Sequence, residues 1–340
     1  MATTPPKADS PTDDTKSGAF QRVESAWRSW VKADGSTPFA PAADRYHLYV
    51  SYACPFACRT VAVLHMKGLQ HTIGISVVHS TWSKTRPDDP NDAHFGWAFA
   101  DPSDPPKANP NGFGAFSAAG SVPDTVNGVT YVRDLYDLAG DTLGRYTVPI
   151  LWDKTNKTIV SNESSEIVRM LNSEFNAIAK NPDLDLYPEP LRAAIDAVNE
   201  WVFPAINMGV YRCGFAKAQG PYEQAFDELF DALDKCESIL EGRPYIAGGV
   251  VTEADVRLFM TLVRFDPIYV VYFKTNKKFV REYPRLQEYV RELYHTPGVA
   301  PSVNMRHCLD HYFSSHPALN AYAVVPKGGA WWWEDKPIGR

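Results

Sequence analysis

Two cysteines stand four residues apart in the stretch YVSYACPFACRT, residues 49–60, and a proline follows the first of them. Strand-forming residues precede Cys54 and a helical pattern follows it, so Pro55 is predicted at the first position of a helix. Backbone N–H groups at a helix start have no partners within the helix, and the helix dipole adds partial positive charge there. Such a position lowers the pKa of a thiol, so the pattern predicts a reactive Cys54. The alternative is a buried cysteine that packs as a small apolar side chain.

The second cysteine, Cys58, lies one turn further into the predicted helix. Its spacing from Cys54 is C-x3-C, whereas dithiol redox motifs have C-x-x-C. Inert packing is therefore favoured for Cys58, with a resolving role as the alternative. A reactive thiol without a partner thiol needs an external thiol to resolve any mixed disulfide that it forms.

A proline interrupts a predicted strand in RYTVPIL, residues 145–151. Proline donates no hydrogen bond to a β-ladder, so Pro149 belongs at a strand start or edge, where a cis peptide bond is an option. The backbone of Val148 would then be free to pair with an extended peptide. A plain edge strand is the alternative.

The stretch SNESSEI, residues 161–167, places Glu163 and Ser164 in the first turn of a predicted helix, with Ser161 or Asn162 as its N-cap. N–H groups and a hydroxyl there can bind a ligand carboxylate, and Glu163 can accept from a ligand ammonium. Ordinary helix capping is the alternative. A thiol, an unpaired strand backbone and this helix start together fit glutathione, a peptide with a central thiol and a free α-amino acid end.

The elements that would position these residues follow the order β-α-β-loop-α-β-β-α up to about residue 180. A short helix is predicted over residues 20–31, and the segment 80–130 is predicted as a long loop that packs in part through its aromatic residues. After about residue 183 the strand signals stop and helical periodicity continues. We therefore predict an α/β half followed by an all-α half.

Composition and charge exclude several classes of function. The chain has 340 residues, 44% of them apolar, and a net charge of −6, which argues against binding to nucleic acid. The N-terminus lacks the apolar stretch of a secretory signal, and residues 1–18 read as a disordered tail. The apolar stretch Val256–Phe273 carries three charged residues, so a core helix is predicted there and no membrane span.

Cysteine and histidine usage gives three further expectations. Five widely spaced cysteines do not suggest a disulfide framework, so a cytoplasmic location is predicted. His307 and His311 are one helical turn apart, but no third ligand is evident and no metal is expected. No glycine-rich phosphate-binding fingerprint follows a strand, so no nucleotide site is expected either.

With these motifs identified, the sequence resembles the glutathionyl-hydroquinone reductases, the Xi class of glutathione transferases. The matching stretches extend from about residue 46 to 316, and the most specific are TVPILWD, TIVSNESSEI and RFDPIYV. Phe56 stands after the Cys-Pro pair where the family commonly has tryptophan.

The resemblance implies a thioredoxin-like N-terminal domain and a helical glutathione-transferase-type C-terminal domain, usually in a homodimer. Its implied divisions are a glutathione-binding domain over 19–180 with an insertion at 80–130, an all-α substrate domain over 184–325, and a C-terminal tail over 326–340.

The implied reaction is the reduction of a glutathionyl-hydroquinone. The Cys54 thiolate would attack the sulfur of the adduct, the hydroquinone would leave, and a second glutathione would release oxidised glutathione from Cys54.

The same resemblance implies roles for eight further residues. Trp97 would pack on glutathione, Arg145 would meet one of its carboxylates, and Val148 would pair through its backbone. Glu163 and Ser164 would hold the γ-glutamyl end. Three tyrosines would line the pocket for the aromatic substrate: Tyr211, Tyr269 and Tyr312.

Two alternatives to this function are left open. A glutathione-conjugating transferase stabilises the thiolate of glutathione itself, usually with serine or tyrosine at the position of Cys54, so the cysteine argues for disulfide chemistry. A non-catalytic glutathione-fold module would bind glutathione without turnover, and the combination of Cys54, Glu163 and Ser164 argues against it.

Overall fold

A computed structural model describes residues 13–14 and 18–338 of the chain. Most of the predicted disordered tail over residues 1–18 therefore lies outside the described residues. The strands are β1 (Asp13–Asp14), β2 (Phe20–Gln21), β3 (Tyr46–Val50), β4 (Gly74–Val77), β5 (Ser83–Lys84), β6 (Phe95–Gly96), β7 (Ile150–Asp153) and β8 (Thr158–Ser161). The α-helices are α1 (Pro55–Met66), α2 (Val132–Ala139), α3 (Ser164–Ser173), α4 (Arg192–Val202), α5 (Gly209–Gly214), α6 (Gln219–Gly242), α7 (Glu253–Arg264), α8 (Val270–Tyr272), α9 (Pro284–His295) and α10 (Met305–Ser314).

Four strands form a mixed sheet in the spatial order β4-β3-β7-β8. β3 pairs in parallel with β4 and antiparallel with β7, and Leu48 of β3 lies opposite Ile75 and Leu151. Every residue of β3 and β7 is buried, as expected for central strands. With α1, α2 and α3, this sheet confirms the predicted thioredoxin-like order, and α4 to α10 form the predicted helical half.

The predicted helix over residues 20–31 is wrong, because this segment is extended. The N–H of Ser29 donates to the carbonyl of Val160 at 3.0 Å, and the N–H of Asn162 donates to the carbonyl of Trp27 at 3.0 Å. The segment thereby pairs with the outer edge of β8, whose backbone groups would otherwise lack partners. Tertiary pairing overrides the weak local preference for a helix.

The long segment over residues 80–130 contains short paired strands. β5 and β6 form an antiparallel pair, and Lys107 pairs with Phe116 further along. The aromatic side chains Trp82, Trp97 and Phe99 are buried, which confirms that part of the segment packs.

Two predicted helices of the second half continue through π-helical turns. One turn, Phe203–Asn207, separates α4 from α5, and the other, Phe265–Tyr269, separates α7 from α8. The predicted capping pattern is confirmed at α7, where Thr252 and Asp255 form a reciprocal capping box. Among the described residues, no helix combines the length and the apolar character that a membrane crossing requires.

A buried carboxylate joins α3 to α7. Glu253 is almost fully buried at the start of α7, and it accepts hydrogen bonds from Arg169 of α3 at 2.8 Å. Arg257, one turn further along α7, lies 2.9 Å from the same oxygen. The two halves of the molecule therefore share a buried charge network.

We expect Glu253→Gln to lower the free energy of unfolding by about 3 kcal/mol, because the buried Arg257 loses its carboxylate partner and Arg169 keeps only that of Asp196. Urea denaturation measures the change. Glu228→Gln is the matched control, since the side chain of Glu228 is 42% exposed and that of Glu253 only 1%, and its expected effect is below about 1 kcal/mol. Equal effects of the two substitutions would contradict a structural role for the Glu253 network.

Candidate active site

The structure places Cys54 as the N-cap of α1, with Pro55 at the first helical position as predicted. β3 ends at Val50, and a turn closed by the hydrogen bond from the Cys54 N–H to the Ser51 carbonyl, 3.2 Å, leads into the helix. The N–H of Ala57 donates to the Cys54 sulfur at 3.4 Å. Cys54 is partly exposed, whereas the other four cysteines are fully buried.

The sulfur of Cys54 faces the peptide that precedes β7. Its distance to the Val148 carbonyl oxygen is 3.5 Å, and the Val148–Pro149 peptide bond is cis. Val148 lies outside the ladder of β7, which begins at Ile150. The geometry thus brings together the predicted thiol and the predicted peptide-pairing position.

The pKa of Cys54 is shifted upward, whereas the sequence predicted a downward shift. Burial raises the pKa of the thiol above its ordinary value. The N–H groups of Ala57 and Phe56 and the guanidinium groups of Arg264 and Arg59 act in the opposite direction. The sequence revealed the helix start but not the desolvation of the sulfur, which depends on residues far away in the chain.

The start of α3 differs from the prediction in its cap. The N-cap is Glu163, whose side chain accepts from the Ser165 N–H at 3.1 Å, and not Ser161 or Asn162. Ser161 belongs to β8, and the Asn162 amide is used elsewhere, since its Oδ1 accepts from the Trp27 N–H at 3.2 Å. The buried Ser164 hydroxyl next to Glu163 has no hydrogen-bond partner among the described residues.

Glu163 is held as a carboxylate by residues that the sequence did not single out. Its second oxygen accepts from Arg22 at 2.9 Å and from the Ser25 hydroxyl at 3.0 Å. Burial opposes ionisation, but the Arg22 charge and the hydrogen bonds from Ser165 and Ser25 outweigh it and lower the pKa of Glu163 to about 2. Arg22 lies 141 residues away, and its local sequence carries no signal of this contact.

The three predicted pocket tyrosines meet at their hydroxyl groups. The Tyr312 oxygen lies 2.6 Å from that of Tyr211 and 3.3 Å from that of Tyr269. Burial raises the pKa of all three, for Tyr269 to about 12, so they are neutral phenols at physiological pH. Neutral phenols in a chain can both donate and accept a proton.

Phe56 connects the thiol to the tyrosines. It follows Cys54 by two residues, and its ring centroid lies 6.1 Å from that of Tyr211. Phe20 of β2 also stacks on Tyr211, with 6.5 Å between ring centroids. An aromatic wall therefore extends from the start of α1 to the helical half, and the contribution of Phe20 was not foreseen.

Two residues predicted to contact glutathione, Trp97 and Arg145, lie apart from the contacts described above. Trp97 is buried and stacks on His311 of α10, with 4.5 Å between ring centroids. Arg145 is exposed in the loop that precedes Pro149. Their predicted contacts with glutathione remain predictions.

The histidines of α10 serve the packing of the two halves. Because a carbonyl oxygen can only accept, the Nδ1–H of His311 donates to the Ser80 carbonyl at 2.8 Å. His307 is buried as well. In the part of the chain that the structure describes, no group of three His, Cys, Asp or Glu side chains is arranged to hold a metal ion.

A thioredoxin-like half with a cysteine at the start of α1, followed by a helical half, is the arrangement of a glutathione transferase. Residues 53–174 match the family model "Glutathione S-transferase, N-terminal domain", and residues 219–292 match "Glutathione S-transferase, C-terminal domain".

Comparison with individual proteins shows which group of glutathione transferases the chain resembles. Glutathionyl-hydroquinone reductase YqjG of Escherichia coli (strain K12) is 41% identical over 336 residues, which cover 96% of this chain and 94% of the relative. Glutathionyl-hydroquinone reductase PcpF of Sphingobium chlorophenolicum is 42% identical over 320 residues, covering 93% and 92%. The solved structure of glutathione S-transferase Xi from Phanerochaete chrysosporium has a TM-score of 0.81 and 43% identity, covering 91% of this chain and 97% of that one. The chain belongs to the glutathionyl-hydroquinone reductases, the Xi class of glutathione transferases.

The difference in exposure among the five cysteines can be tested directly by alkylation. Iodoacetamide should modify one thiol in the folded protein, because Cys54 alone among the five is partly exposed. Intact-protein mass spectrometry counts the adducts, and Cys54→Ser should show none at the same reagent exposure. Two or more adducts on the folded wild-type chain would contradict the burial of the other four cysteines.

Proposed function

We propose that the chain reduces glutathionyl-hydroquinones to hydroquinones with Cys54 as the nucleophile and glutathione as co-substrate. The observation that carries the proposal is the placement of one partly exposed thiol between the Val148 carbonyl, 3.5 Å away, and an aromatic wall that leads to three tyrosine hydroxyls. The names of the curated relatives from Escherichia coli and Sphingobium chlorophenolicum support the same activity.

Glutathione would bind as an extended peptide along the proposed N-terminal domain, residues 19–180. Its backbone would pair with Val148, and its sulfur would point at Cys54. Its α-amino acid end would lie at the start of α3, with the ammonium on Glu163 and the carboxylate on the Ser164 hydroxyl and adjacent N–H groups. The ionised state of Glu163 and the unpaired Ser164 hydroxyl support this orientation. Trp97 and Arg145 would contribute at the edges of the peptide.

A solved relative supports the choice of ligand. The glutathione-bound structure of YqjG from Escherichia coli K-12 has a TM-score of 0.81 and 39% identity, covering 92% of this chain and 96% of that one. That protein binds glutathione, and we infer the same ligand for this chain.

The first half-reaction forms a disulfide and releases the quinol. The Cys54 thiolate attacks the sulfur of the glutathionyl adduct, and the bond between that sulfur and the aromatic carbon breaks. The electron pair of the broken bond stays on the carbon, which takes up a proton. The products are a hydroquinone and a mixed disulfide between Cys54 and glutathione.

The tyrosine chain of the proposed helical substrate domain, residues 184–325, suits the proton transfer. Tyr312 lies between Tyr211 and Tyr269, so a proton that leaves one phenol can be replaced through the next. The raised pKa of each phenol keeps the proton available over the physiological range. Phenol groups can also orient the quinol oxygens by hydrogen bonds.

The second half-reaction restores the enzyme. The thiolate of a second glutathione attacks the sulfur of the bound glutathione, the mixed disulfide breaks, and oxidised glutathione leaves. Cys54 returns as a thiolate. A role for Cys58 in this step is not favoured, because its thiol is fully buried and burial raises its pKa to about 12.

The mixed disulfide is the intermediate to detect. After brief exposure to a glutathionyl-hydroquinone, whole-protein mass spectrometry should show one glutathione on the wild-type chain and none on Cys54→Ser. Steady-state turnover of Cys54→Ser should fall at least about a thousandfold, since a hydroxyl cannot form the disulfide.

Other outcomes separate the alternatives. Turnover that survives in Cys54→Ser refutes the cysteine mechanism, and conjugation of glutathione to an electrophile by the same variant would favour a conjugating transferase. Retention on immobilised glutathione without any turnover of the wild-type chain would favour a non-catalytic module.

Glu163 provides a test of the glutathione orientation. We expect Glu163→Gln to weaken glutathione binding by roughly 10- to 100-fold, because it replaces a charged hydrogen bond to the ligand ammonium by a neutral one. Isothermal titration calorimetry measures the affinity. Glu166→Gln is the matched control on the same helical turn, since Glu166 pairs with Arg28, and its expected effect is below about threefold. Equal losses in both variants would contradict the proposed orientation.

We further propose that the chain acts as a homodimer in the cytoplasm. Membership of the family supports the dimer. The location is supported by the free state of all five cysteines, which is typical of reducing compartments.

A further inference from the structure

A buried arginine lies behind the active-site turn. Arg264 closes α7 and has no exposed surface. It donates to the Met260 carbonyl at 2.7 Å, to the Tyr52 carbonyl at 2.8 Å and to the sulfur of Cys58 at 3.0 Å. Tyr52 precedes Cys54 by two residues, so Arg264 holds the turn that delivers the reactive thiol.

Arg264 lacks a carboxylate partner. The ion pairs among the described residues include none with Arg264, although Arg257 on the same helix lies 2.9 Å from the carboxylate of Glu253. A buried guanidinium without a counter-charge costs several kcal/mol through desolvation. A group near Arg264 that can become negatively charged would offset the desolvation cost of the guanidinium.

The groups around Arg264 are thiols and phenols. The Tyr52 carbonyl that accepts from Arg264 also accepts from Cys58 and Cys308, both at 3.1 Å. The guanidinium also acts electrostatically on the phenols of the substrate pocket, Tyr269 and Tyr312, and on Cys54. Cys54 is the only one of the three thiols that is not fully buried.

We propose that Arg264 is a positioning residue whose buried charge stabilises the anionic form of Cys54 from behind the active-site turn. The proposal rests on the proposed function, in which Cys54 reacts as a thiolate. A fixed positive charge would offset part of the cost of desolvating the sulfur, because charges interact more strongly in buried surroundings of low dielectric constant.

Arg59 of α1 is the second guanidinium that faces Cys54, and it is less suited to this role. Burial and the nearby charge of Arg257 lower the pKa of Arg59 to about 9. Arg59 also faces the permanent carboxylate of Glu163, which offsets its charge. Arg264 is different, because no carboxylate among the described residues offsets its charge: its hydrogen bonds go to the carbonyls of Met260 and Tyr52 and to the sulfur of Cys58. The titratable and charged groups that interact electrostatically with Cys54 are Arg59, Arg264, Tyr211, Cys58 and Cys308.

The pH dependence of Cys54 alkylation by iodoacetamide tests the proposal without any quinol substrate. Arg264→Met should raise the midpoint of the alkylation rate by at least about one pH unit, which is a tenfold lower rate below the midpoint. Arg264→Lys, which keeps the charge, should stay within about half a unit of the wild type. A folded Arg264→Met protein with the wild-type midpoint would overturn the proposal.

Arg257→Met is the matched control, a buried guanidinium of the same helix that pairs with Glu253. It should lower thermal stability and leave the alkylation midpoint within about half a unit of the wild type. An equal shift in both methionine variants would show a general loss of structure, and the proposal would fail.

A second comparison applies if Arg264→Met does not fold. Cys54→Asp and Cys54→Asn are both competent N-caps, so their thermal stabilities differ mainly by the charge. Facing a buried cation, Cys54→Asp should be the more stable at pH 7, and Arg264→Lys should preserve this order. A less stable Cys54→Asp would overturn the proposal. Turnover that survives in Cys54→Ser would instead refute the proposed function, while the alkylation comparison would still report the effect of Arg264 on the thiol.

Discussion

The site depends on two opposing effects at one sulfur atom. Burial of Cys54 disfavours a thiolate, whereas the N–H groups at the start of α1 and two guanidinium groups favour it. The same low-dielectric surroundings that penalise the charge also strengthen each favourable interaction with it. A desolvated thiol therefore needs fixed positive groups on several sides, and the helix start alone does not provide them.

At the start of α3, where we propose that glutathione binds, the same balance holds for a buried negative charge. Glu163 is buried, yet it remains ionised because Arg22, Ser25 and Ser165 surround its carboxylate. Two of these residues belong to the N-terminal segment, which is held in place by pairing with the edge of β8. By pairing with β8, the N-terminal segment thus both covers the edge of the sheet and brings Arg22 and Ser25 to Glu163.

Local patterns revealed the parts of the molecule that local physics determines. The N-cap position of Cys54, the place of Pro149 at a strand start and the capping box at Thr252 all depend on a few neighbouring residues. The positions of Arg22 and Arg264 could not be predicted in this way, because each is set by contacts with residues more than a hundred positions away. The resemblance to a family named the pocket tyrosines, but their shared hydroxyl network required the fold.

The buried charges of α7 serve two different purposes, one in the stability of the fold and one in its function. Glu253 and Asp196 neutralise Arg169 and Arg257 in a network that connects the two halves. Arg264 stands two turns from Arg257 on the same helix but has thiols and phenols as neighbours. A methionine at position 264 would avoid the desolvation cost of the guanidinium, so stability alone does not explain the arginine. Its charge gains a counter-charge when a neighbouring group ionises, and Cys54, the partly exposed residue among these neighbours, is the one placed to do so.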